Sequence, residues 1–214
     1  MAAEVHVADY GAGNLLSVRR AFEHCGATVI QTSDAEKIFR AKRVVLPGVG
    51  AFSNAMSALH QVGLVNVIRE LGQRDIPLLG ICLGMQLLFD ESDEFVHTPG
   101  LGIIPGRVMR LPDQTVMGKP LKIPHIGWNE LLPVTSEDCW GRTILSDVRA
   151  GDSTYFNHSF MAIPGSLEHC IAECDYGGIR IPSVIRYRQI TGCQFHPEKS
   201  GEVGLKILRR FCAD

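Results

Sequence analysis

The sequence lacks the features that mark membrane, exported or nucleic-acid-binding proteins. No apolar run approaches the roughly 20 residues of a membrane span, and the first residues have neither the basic start nor the long apolar region of a signal peptide. Lysine and arginine number 21 against 23 aspartate and glutamate, so no basic surplus favours nucleic acid. Because no linker or polar low-complexity stretch divides the chain, residues 1–214 are predicted to fold as one domain.

Seven cysteines are spread along the chain, an odd number that fits poorly with a framework of paired disulfides. With no export signal, this cysteine usage predicts a reducing, cytoplasmic location. No pair of cysteines has the Cys-x-x-Cys spacing of a zinc site, so no metal and no other cofactor is expected. Cys25, Cys139 and Cys212 are interpreted as packing residues.

Strand-like and helix-like segments alternate through the first part of the chain. Strands are predicted at residues 4–9, 28–31, 43–46 and 77–81, and helices at residues 14–25, at residues 33–40 with Ser33 as the cap, and from Ser53 and Leu64 onward. This alternation is typical of an α/β fold with a mostly parallel, doubly wound central sheet. The continuous apolar character of residues 77–81 suits a central strand that is covered on both faces.

The pattern changes after residue 100, where short strand-like runs such as residues 106–111 are separated by Pro, Gly and Asp. These runs predict an antiparallel extension of the sheet. Residues 190–195 return to the parallel core. Residues 201–212 are predicted to form a closing helix with Leu205, Leu208 and Cys212 on its apolar face.

Cys82 lies in the segment Gly80-Ile81-Cys82-Leu83-Gly84, between an apolar strand and a helix-forming run that continues to Phe89. Strand, sharp turn and helix in this order are the arrangement of a nucleophile elbow, and the two glycines are expected to let the turn form. At a helix N-terminus, unpaired N–H groups and the helix dipole favour the thiolate, which is the attacking form of cysteine. Taken alone, Cys82 fits a small buried hydrophobe equally well.

The segment Gln194-Phe195-His196-Pro197-Glu198 contains the groups that a thiol nucleophile needs. In an extended chain His196 and Glu198 share a face, because side chains two residues apart point the same way. A cysteine hydrolase requires a thiolate, an imidazole that shuttles the proton and an acceptor that fixes the imidazole tautomer. Cys82 and His196 both follow predicted strands, and the carboxyl ends of parallel strands share one edge. The sequence therefore predicts a triad of Cys82, His196 and Glu198.

Two glycine-rich loops follow early strands. Residues 11–14 lack the third glycine of a dinucleotide-binding fingerprint, because position 16 is leucine, so a plain turn is favoured. Residues 47–50, Pro-Gly-Val-Gly, follow a strand that is expected to lie beside the elbow strand. Backbone N–H groups of Val49 and Gly50, with that of Leu83, would then form an oxyanion hole. A tight turn without a catalytic role explains the same loop.

These motifs resemble those of a known enzyme family. Gly-Ile-Cys-Leu-Gly-Met-Gln at residues 80–86, together with His196-Pro197-Glu198, is similar to the class I, triad-type glutamine amidotransferases, and the resemblance covers essentially the whole chain. More specifically, four segments resemble the glutaminase subunits of imidazole glycerol phosphate synthase, an enzyme of histidine biosynthesis. These segments are residues 9–14, 46–50, 124–129 and 194–201.

The resemblance implies a flavodoxin-like fold and a glutaminase mechanism. Cys82 would attack the carboxamide carbon of L-glutamine, backbone N–H groups would hold the oxyanion, and His196 would protonate the departing ammonia. Water would then hydrolyse the glutamyl thioester. The positions that match glutamine-contacting residues of the family are Gln86, Glu94, Ser159 and Phe160.

The segment of residues 155–160 departs modestly from the family pattern. Asn157 stands where an apolar residue is expected, and Phe160 stands where a hydroxylated aromatic residue is common. His158 lies between them and is interpreted as a structural histidine rather than as a second base.

The resemblance also implies a partner. A chain taken up by one glutaminase domain leaves no synthase domain to use the ammonia. In the family the partner is a (βα)₈-barrel cyclase that forms imidazole glycerol phosphate and aminoimidazole carboxamide ribonucleotide, and the heterodimer channels ammonia and controls the glutaminase allosterically. The positions that match partner-facing residues are Asn14, Pro124, His125, Trp128, Asn129 and Lys199. Without the resemblance, Trp128 would as readily be a buried core residue.

Three other hypotheses stay open from the sequence. A related glutaminase pairs with a sugar amidotransferase instead of the cyclase. A cysteine peptidase or hydrolase on a similar sheet would act without any partner. A catalytically silent binding subunit would have no use for the complete set of Cys82, His196 and Glu198. Glutaminase activity separates the last two from the favoured hypothesis.

Overall fold

The computed structural model describes residues 2–74, 76–135 and 140–213. Cys139, interpreted above as a packing residue, lies outside the described residues. The helices are α1 (Leu15–His24), α2 (Ala35–Arg40), α3 (Phe52–Gln61), α4 (Leu64–Leu71), α5 (Leu83–Leu87) and α6 (Gly201–Ala213). The strands are β1 (Glu4–Ala8), β2 (Thr28–Thr32), β3 (Val44–Gly48), β4 (Leu78–Cys82), β5 (Phe89–Ser92), β6 (Thr98–Pro99), β7 (Ile104–Arg110), β8 (His125–Glu130), β9 (Leu132–Pro133), β10 (Ser153–His158), β11 (Phe160–Pro164), β12 (Cys170–Tyr176), β13 (Ile179–Tyr187) and β14 (Ile190–Cys193).

The largest sheet in the described part of the chain has eight strands, in the order β2-β1-β3-β4-β14-β13-β12-β9. The pairs from β2 through to β14 are all parallel, and this strand order is that of a flavodoxin-like sheet. β13, β12 and β9 continue the sheet with antiparallel pairing. The predicted α/β class, with a mostly parallel sheet and an antiparallel extension, is confirmed.

The centre of the sheet brings three chain segments to one edge. All residues of β3 and β4 are buried, as their continuous apolar character predicts. The register pairs Gly48 with Cys82 and Cys193 with Ile81, so β3, β4 and β14 end side by side. Cys82 is the last residue of β4, and the segments that follow β3 and β14 carry Val49 and His196, so the strand ends explain why these residues meet.

Two smaller sheets complete the described structure. β11, β7, β5 and β6 form one sheet, and β10 pairs with β8 in antiparallel fashion. The register of the β8–β10 pair places Trp128 opposite Tyr155 and His125 opposite His158. β10 also packs against α6 and against a short 3-10 turn, Pro197–Lys199. This pair of strands therefore lies directly against the segment that carries His196.

Two helix predictions need correction at their ends. α2 is capped by Asp34 and not by Ser33, because the Asp34 carboxylate accepts from the N–H groups of Glu36 at 2.9 Å and Lys37 at 3.3 Å. The buried side of α6 is formed by Ile207, Leu208 and Phe211. Leu205 and Cys212, which were predicted to lie on that side, are only partly buried and pack against its margin.

The helix after Cys82 is also shorter than predicted. α5 ends at Leu87, and Phe89 begins β5 instead of continuing the helix. The carbonyl groups of Leu87 and Leu88 accept hydrogen bonds from the N–H groups of Leu101 at 2.8 Å and Ile103 at 2.9 Å. Because the loop before β7 takes these acceptors, the helical hydrogen-bond pattern stops there.

Candidate active site

Cys82 occupies a sharp turn between β4 and α5. Its backbone has φ 53° and ψ −112°, a conformation that non-glycine residues rarely adopt and that is typical of functional turns. The predicted order of strand, turn and helix is confirmed. The helix that follows, α5, is short and comprises Leu83–Leu87.

The glycines around Cys82 act through packing and not through the turn itself. A Cβ atom on Gly84 would overlap the carbonyl oxygen of Leu46, and one on Gly80 would lie 2.7 Å from the Cα atom of Met85. Neither glycine has a positive φ, so they allow the turn through the close packing of α5 and not through their own backbone conformation. They are small because α5 presses directly onto β3 and β4, and this contact fixes the direction of the turn.

His196 and Glu198 form a buried ion pair. Nδ1 of His196 lies 2.8 Å from Oε1 of Glu198, and the two side chains are 4% and 1% exposed. The pair was predicted to share a face of an extended chain, but Pro197–Lys199 is a 3-10 turn. The side chains meet because the chain tightens after His196, which itself remains extended.

The surroundings of His196 favour the charged form of its imidazole. Burial disfavours its charged form, but hydrogen bonds with Cys82 and Glu198 outweigh burial and hold the pKa of His196 well above its ordinary value. Nδ1 faces the Glu198 carboxylate, which leaves the other ring nitrogen to face the thiol. This geometry favours an imidazolium beside a cysteine sulfur, the pairing that a thiol nucleophile requires.

The backbone of His196 is fixed against β10. Its N–H donates to the carbonyl of Tyr155 at 2.9 Å, and its carbonyl accepts from the Ser200 hydroxyl at 2.7 Å. The same hydroxyl oxygen accepts from the N–H of Tyr155 at 3.0 Å. β10 and Ser200 therefore fix the backbone of His196, and with it the position of the imidazole at the edge of the sheet.

A cavity of about 280 Å³ opens in front of Cys82 and His196. Residues from six separate segments reach it, and a cavity of this volume can admit a small polar molecule beside the sulfur. Its lining comprises Val49, Gly50, Cys82, Leu83, Gln86, Glu94, Pro124, Asn157, His158, Ser159, His196 and Lys199. The predicted oxyanion residues and most of the predicted glutamine-contacting residues thus surround the predicted nucleophile.

The predicted glutamine-contacting residues are held by specific hydrogen bonds. The Glu94 carboxylate accepts from the N–H of Phe52 at 2.7 Å, at the start of α3. The Gln86 amide donates to the carbonyl of Phe160 at 2.9 Å. Phe160 does not line the cavity, although Ser159 before it does. Asn157, the departure from the family pattern, is exposed at the cavity rim.

The loop with Val49 and Gly50 is anchored by a residue whose role sequence reasoning missed. The Tyr10 hydroxyl donates to the carbonyl of Pro47 at 2.6 Å. Burial, followed by the nearby Cys82, raises the pKa of Tyr10 above its ordinary value, so the hydroxyl remains a donor. Tyr10 belongs to the motif at residues 9–14, but no spacing in the sequence joins it to a loop that lies 37 residues away.

His158, which lines the cavity, forms a second buried pair with His125. Nδ1 of His158 lies 2.8 Å from the carbonyl oxygen of Phe160, and its Nε2 lies 3.0 Å from Nδ1 of His125. The His125 ring stacks on those of Phe156 and Tyr176, with centroid distances of 4.9 and 4.0 Å. This setting agrees with a structural role for His158.

The predicted partner-facing residues divide into exposed and buried members. Trp128 is 55% exposed and touches Tyr155 edge-on, so the alternative of a core tryptophan is wrong. Lys199 is exposed as well, and the Asn14 side chain caps α1. His125 differs from the prediction, because its side chain is 1% exposed and points inward on β8 while its neighbour Ile126 points outward.

The described residues contain neither a grouped set of metal ligands nor a membrane-spanning helix. Among residues 2–74, 76–135 and 140–213, no three His, Cys, Asp or Glu side chains are grouped so that they could hold a metal ion. No helix in the same ranges combines the length and the apolar character needed to cross a membrane.

The sequence was compared with protein families. The model of the family "Glutamine amidotransferase class-I" matches residues 6–214. The chain belongs to the class I glutamine amidotransferases. It is thus a glutamine-hydrolysing enzyme, and the alternatives of a peptidase and of a silent binding subunit are set aside.

Relatives of this amidotransferase carry a more specific name. "Imidazole glycerol phosphate synthase subunit HisH 1" of Legionella pneumophila (strain Lens) is 47% identical over 207 residues, which cover 97% of each chain. "Imidazole glycerol phosphate synthase subunit HisH" of Geobacillus thermodenitrificans (strain NG80-2) is 46% identical over 207 residues, covering 97% of this chain and 94% of that protein.

Solved structures agree on the fold. A glutamine amidotransferase superposes with a TM-score of 0.72 at 17% identity, covering 98% of this chain and 99% of that chain. PurLQS from Thermotoga maritima superposes with a TM-score of 0.71 at 17% identity, covering 99% of this amidotransferase and 98% of that chain. At this identity the likeness concerns the fold alone.

The buried histidine pair predicts a specific loss of stability in acid. Burial lowers the pKa of His158 to about 3 and that of His125 to about 4, against about 6.5 in an unfolded chain. The unfolded chain therefore binds more protons below about pH 6.5, and the free energy of unfolding falls by about 1.4 kcal/mol per pH unit for each histidine as the pH drops toward the folded values.

We expect His125→Phe, which keeps the stacking but cannot titrate, to reduce this slope by about 1.4 kcal/mol per pH unit between about pH 6.5 and 4.5. Urea unfolding of wild type and variant at several pH values measures both slopes. Equal slopes would show that His125 takes up its proton freely in the folded protein.

Proposed function

We propose that this amidotransferase is the glutaminase subunit of an imidazole glycerol phosphate synthase in histidine biosynthesis. The observation that carries the proposal is the meeting of the strained Cys82 turn with the buried His196–Glu198 pair at one cavity. Identity of 47% over nearly the whole length of a relative with that name supports the specific pathway. The family match to residues 6–214 supports one glutaminase domain over residues 1–214.

Cys82 is the proposed nucleophile. Its sulfur attacks the carboxamide carbon of glutamine, and the carbonyl oxygen becomes an oxyanion that backbone N–H groups of Leu83 and of Val49 and Gly50 stabilise. All four residues line the same cavity, which supports this assignment. The positive φ of Gly50, 99°, gives the loop a backbone direction that a side chain would oppose.

His196 is the proposed general acid and base. As the carbon–nitrogen bond breaks, the imidazolium gives its proton to the leaving ammonia, and the neutral imidazole then takes a proton from the water that hydrolyses the thioester. Glu198 keeps Nδ1 protonated and so fixes the tautomer that this exchange needs. The raised pKa of His196 supports a charged imidazole at the start of the cycle.

Gln86, Glu94, Ser159 and Phe160 are proposed to hold the substrate. Gln86, Glu94 and Ser159 line the cavity. Phe160 contributes through its backbone, because its carbonyl accepts a hydrogen bond from the Gln86 amide. Ammonia leaves toward a cyclase subunit, a (βα)₈ barrel, in a heterodimer that couples the two activities. The exposed Trp128 and Ile126 on β8 support a partner surface beside the cavity, which Pro124 and Lys199 at the cavity extend, and the family-matching positions Asn14 and Asn129 are proposed to belong to it. We place the enzyme in the cytoplasm, the location that the odd number of widely spread cysteines in the sequence predicts.

Cys82→Ala tests the proposed nucleophile. In complex with the cyclase, the variant should lose glutamine-dependent product formation by about a thousandfold or more, since no other group can form the thioester. Product formation from supplied ammonium chloride should remain at the wild-type rate, because that reaction bypasses Cys82. Both rates follow from one assay of the cyclase product. Loss of both activities in an intact complex would refute the assigned role.

Trp128→Ala tests the proposed partner surface. Removal of an exposed aromatic anchor should weaken binding to the cyclase by about 2 kcal/mol, or about thirtyfold, in isothermal titration calorimetry. Leu167→Ala is the matched control, because Leu167 is 77% exposed but lies before β12, at the edge of the sheet opposite the active site. Unchanged binding by Trp128→Ala, or equal weakening by the control, would contradict the surface.

A further inference from the structure

A chain of buried amides connects the cavity wall to the sulfur of Cys82. The Gln86 side chain donates through Nε2 to the carbonyl of Phe160 at 2.9 Å and to Oε1 of Gln194 at 3.0 Å. Nε2 of Gln194 in turn lies 3.9 Å from Sγ of Cys82. Gln194 is fully buried and has no part in the triad.

The orientation of both amides follows from the one fixed acceptor in this chain. The carbonyl oxygen of Phe160 can only accept, so the Gln86 atom that touches it is the nitrogen. The same nitrogen touches Gln194, and two amide nitrogens in contact would leave two donors facing each other. Gln194 therefore presents its oxygen to Gln86 and its N–H to the sulfur.

The backbone of Gln194 is held in place as well. Its N–H donates to the carbonyl of Ser183 on β13 at 2.9 Å, and the residue follows β14 directly. A Gln194 side chain that turned away from Cys82 would leave a buried amide without partners, which is costly inside a protein.

We propose that Gln194 is a positioning residue for the nucleophile: its amide N–H orients and stabilises the Cys82 thiolate, and its amide oxygen locks Gln86 and the Phe160 carbonyl in register with the sulfur. A sulfur that carries charge accepts an N–H more strongly than a neutral thiol does, so this donor favours the reactive form. The buried setting strengthens the effect, because water does not compete for the sulfur there. The inference rests on the proposed function for its catalytic consequence, but not for the contact itself.

Gln194→Met tests the inference, because methionine matches glutamine in length and removes both the donor and the acceptor. In complex with the cyclase, we expect kcat/KM for glutamine to fall by about tenfold or more, with kcat lowered by the loss of the donor and KM raised by the freed Gln86. We also expect the pH midpoint of Cys82 alkylation by iodoacetamide to move upward. A residue with a merely structural role would leave that midpoint unchanged.

Ser183→Ala is the matched control, since Ser183 is a buried polar residue beside Gln194 whose hydroxyl donates to the carbonyl of Ile181 and not toward the site. It should leave kcat/KM within about twofold of wild type and the alkylation midpoint unchanged, because the Ser183 side chain makes no contact with the amide chain. Gln86→Met is a second variant, because Gln86 reaches the sulfur only through Gln194. It should move the midpoint in the same direction by a smaller amount.

The two proposals fail separately. A wild-type complex without glutaminase activity refutes the proposed function and leaves the alkylation comparison as the test of Gln194. An active wild type whose Gln194→Met variant keeps the wild-type midpoint and kcat/KM overturns the inference. If Gln194→Met does not fold, an unmoved midpoint in Gln86→Met overturns it instead.

Discussion

The packing of α5 directly onto the central strands is the constraint on which the active site depends. Gly84 lies against the backbone of Leu46 so closely that no side chain fits. Gly192 on β14 likewise leaves room for the side chain of Met85. With the helix held there, the chain can leave β4 only through a sharp turn, and Cys82 takes up the positive φ. The strain of that turn, of order 1–3 kcal/mol, is maintained by contacts on both sides of it. The thiol is therefore placed by backbone packing before any catalytic side chain contributes.

The groups around the sulfur come from segments that the sheet brings together and the β8–β10 pair supports. His196 follows β14, and its backbone is tied to Tyr155 on β10. Tyr155 in turn lies opposite the exposed Trp128 of β8. The proposed partner surface and the proposed general acid thus share two neighbouring strands, and a partner that moves β8 has a short route to the imidazole. This route gives a physical basis for the allosteric control that the family resemblance implies.

Much of this arrangement could be predicted from the sequence because its signals are local. The turn at Cys82, the parallel core with its antiparallel extension and the pairing of His196 with Glu198 all follow from short motifs and from the alternation of strands and helices. The 3-10 turn at Pro197, the burial of His125 and the contact of Gln194 with Cys82 could not be predicted in the same way. The last two depend on contacts between residues that are distant in the chain. His125 meets His158 across 33 positions, and Gln194 meets Cys82 across 112 positions. The cap of α2 is predicted at Ser33 instead of Asp34 for a similar reason, since both residue types can cap a helix and only the structure shows which side chain reaches the free N–H groups.

The proposed attack of Cys82 on glutamine can be tested most directly by trapping its covalent intermediate. Turnover of glutamine by the wild-type complex is stopped with acid within milliseconds to seconds, and the digested protein is examined by mass spectrometry. We expect a glutamyl group on the peptide that contains Cys82, removable by hydroxylamine and absent from Cys82→Ser. Sustained glutamine hydrolysis with a glutamyl group on a different residue, or with Cys82→Ser as active as wild type, would contradict a thioester at Cys82.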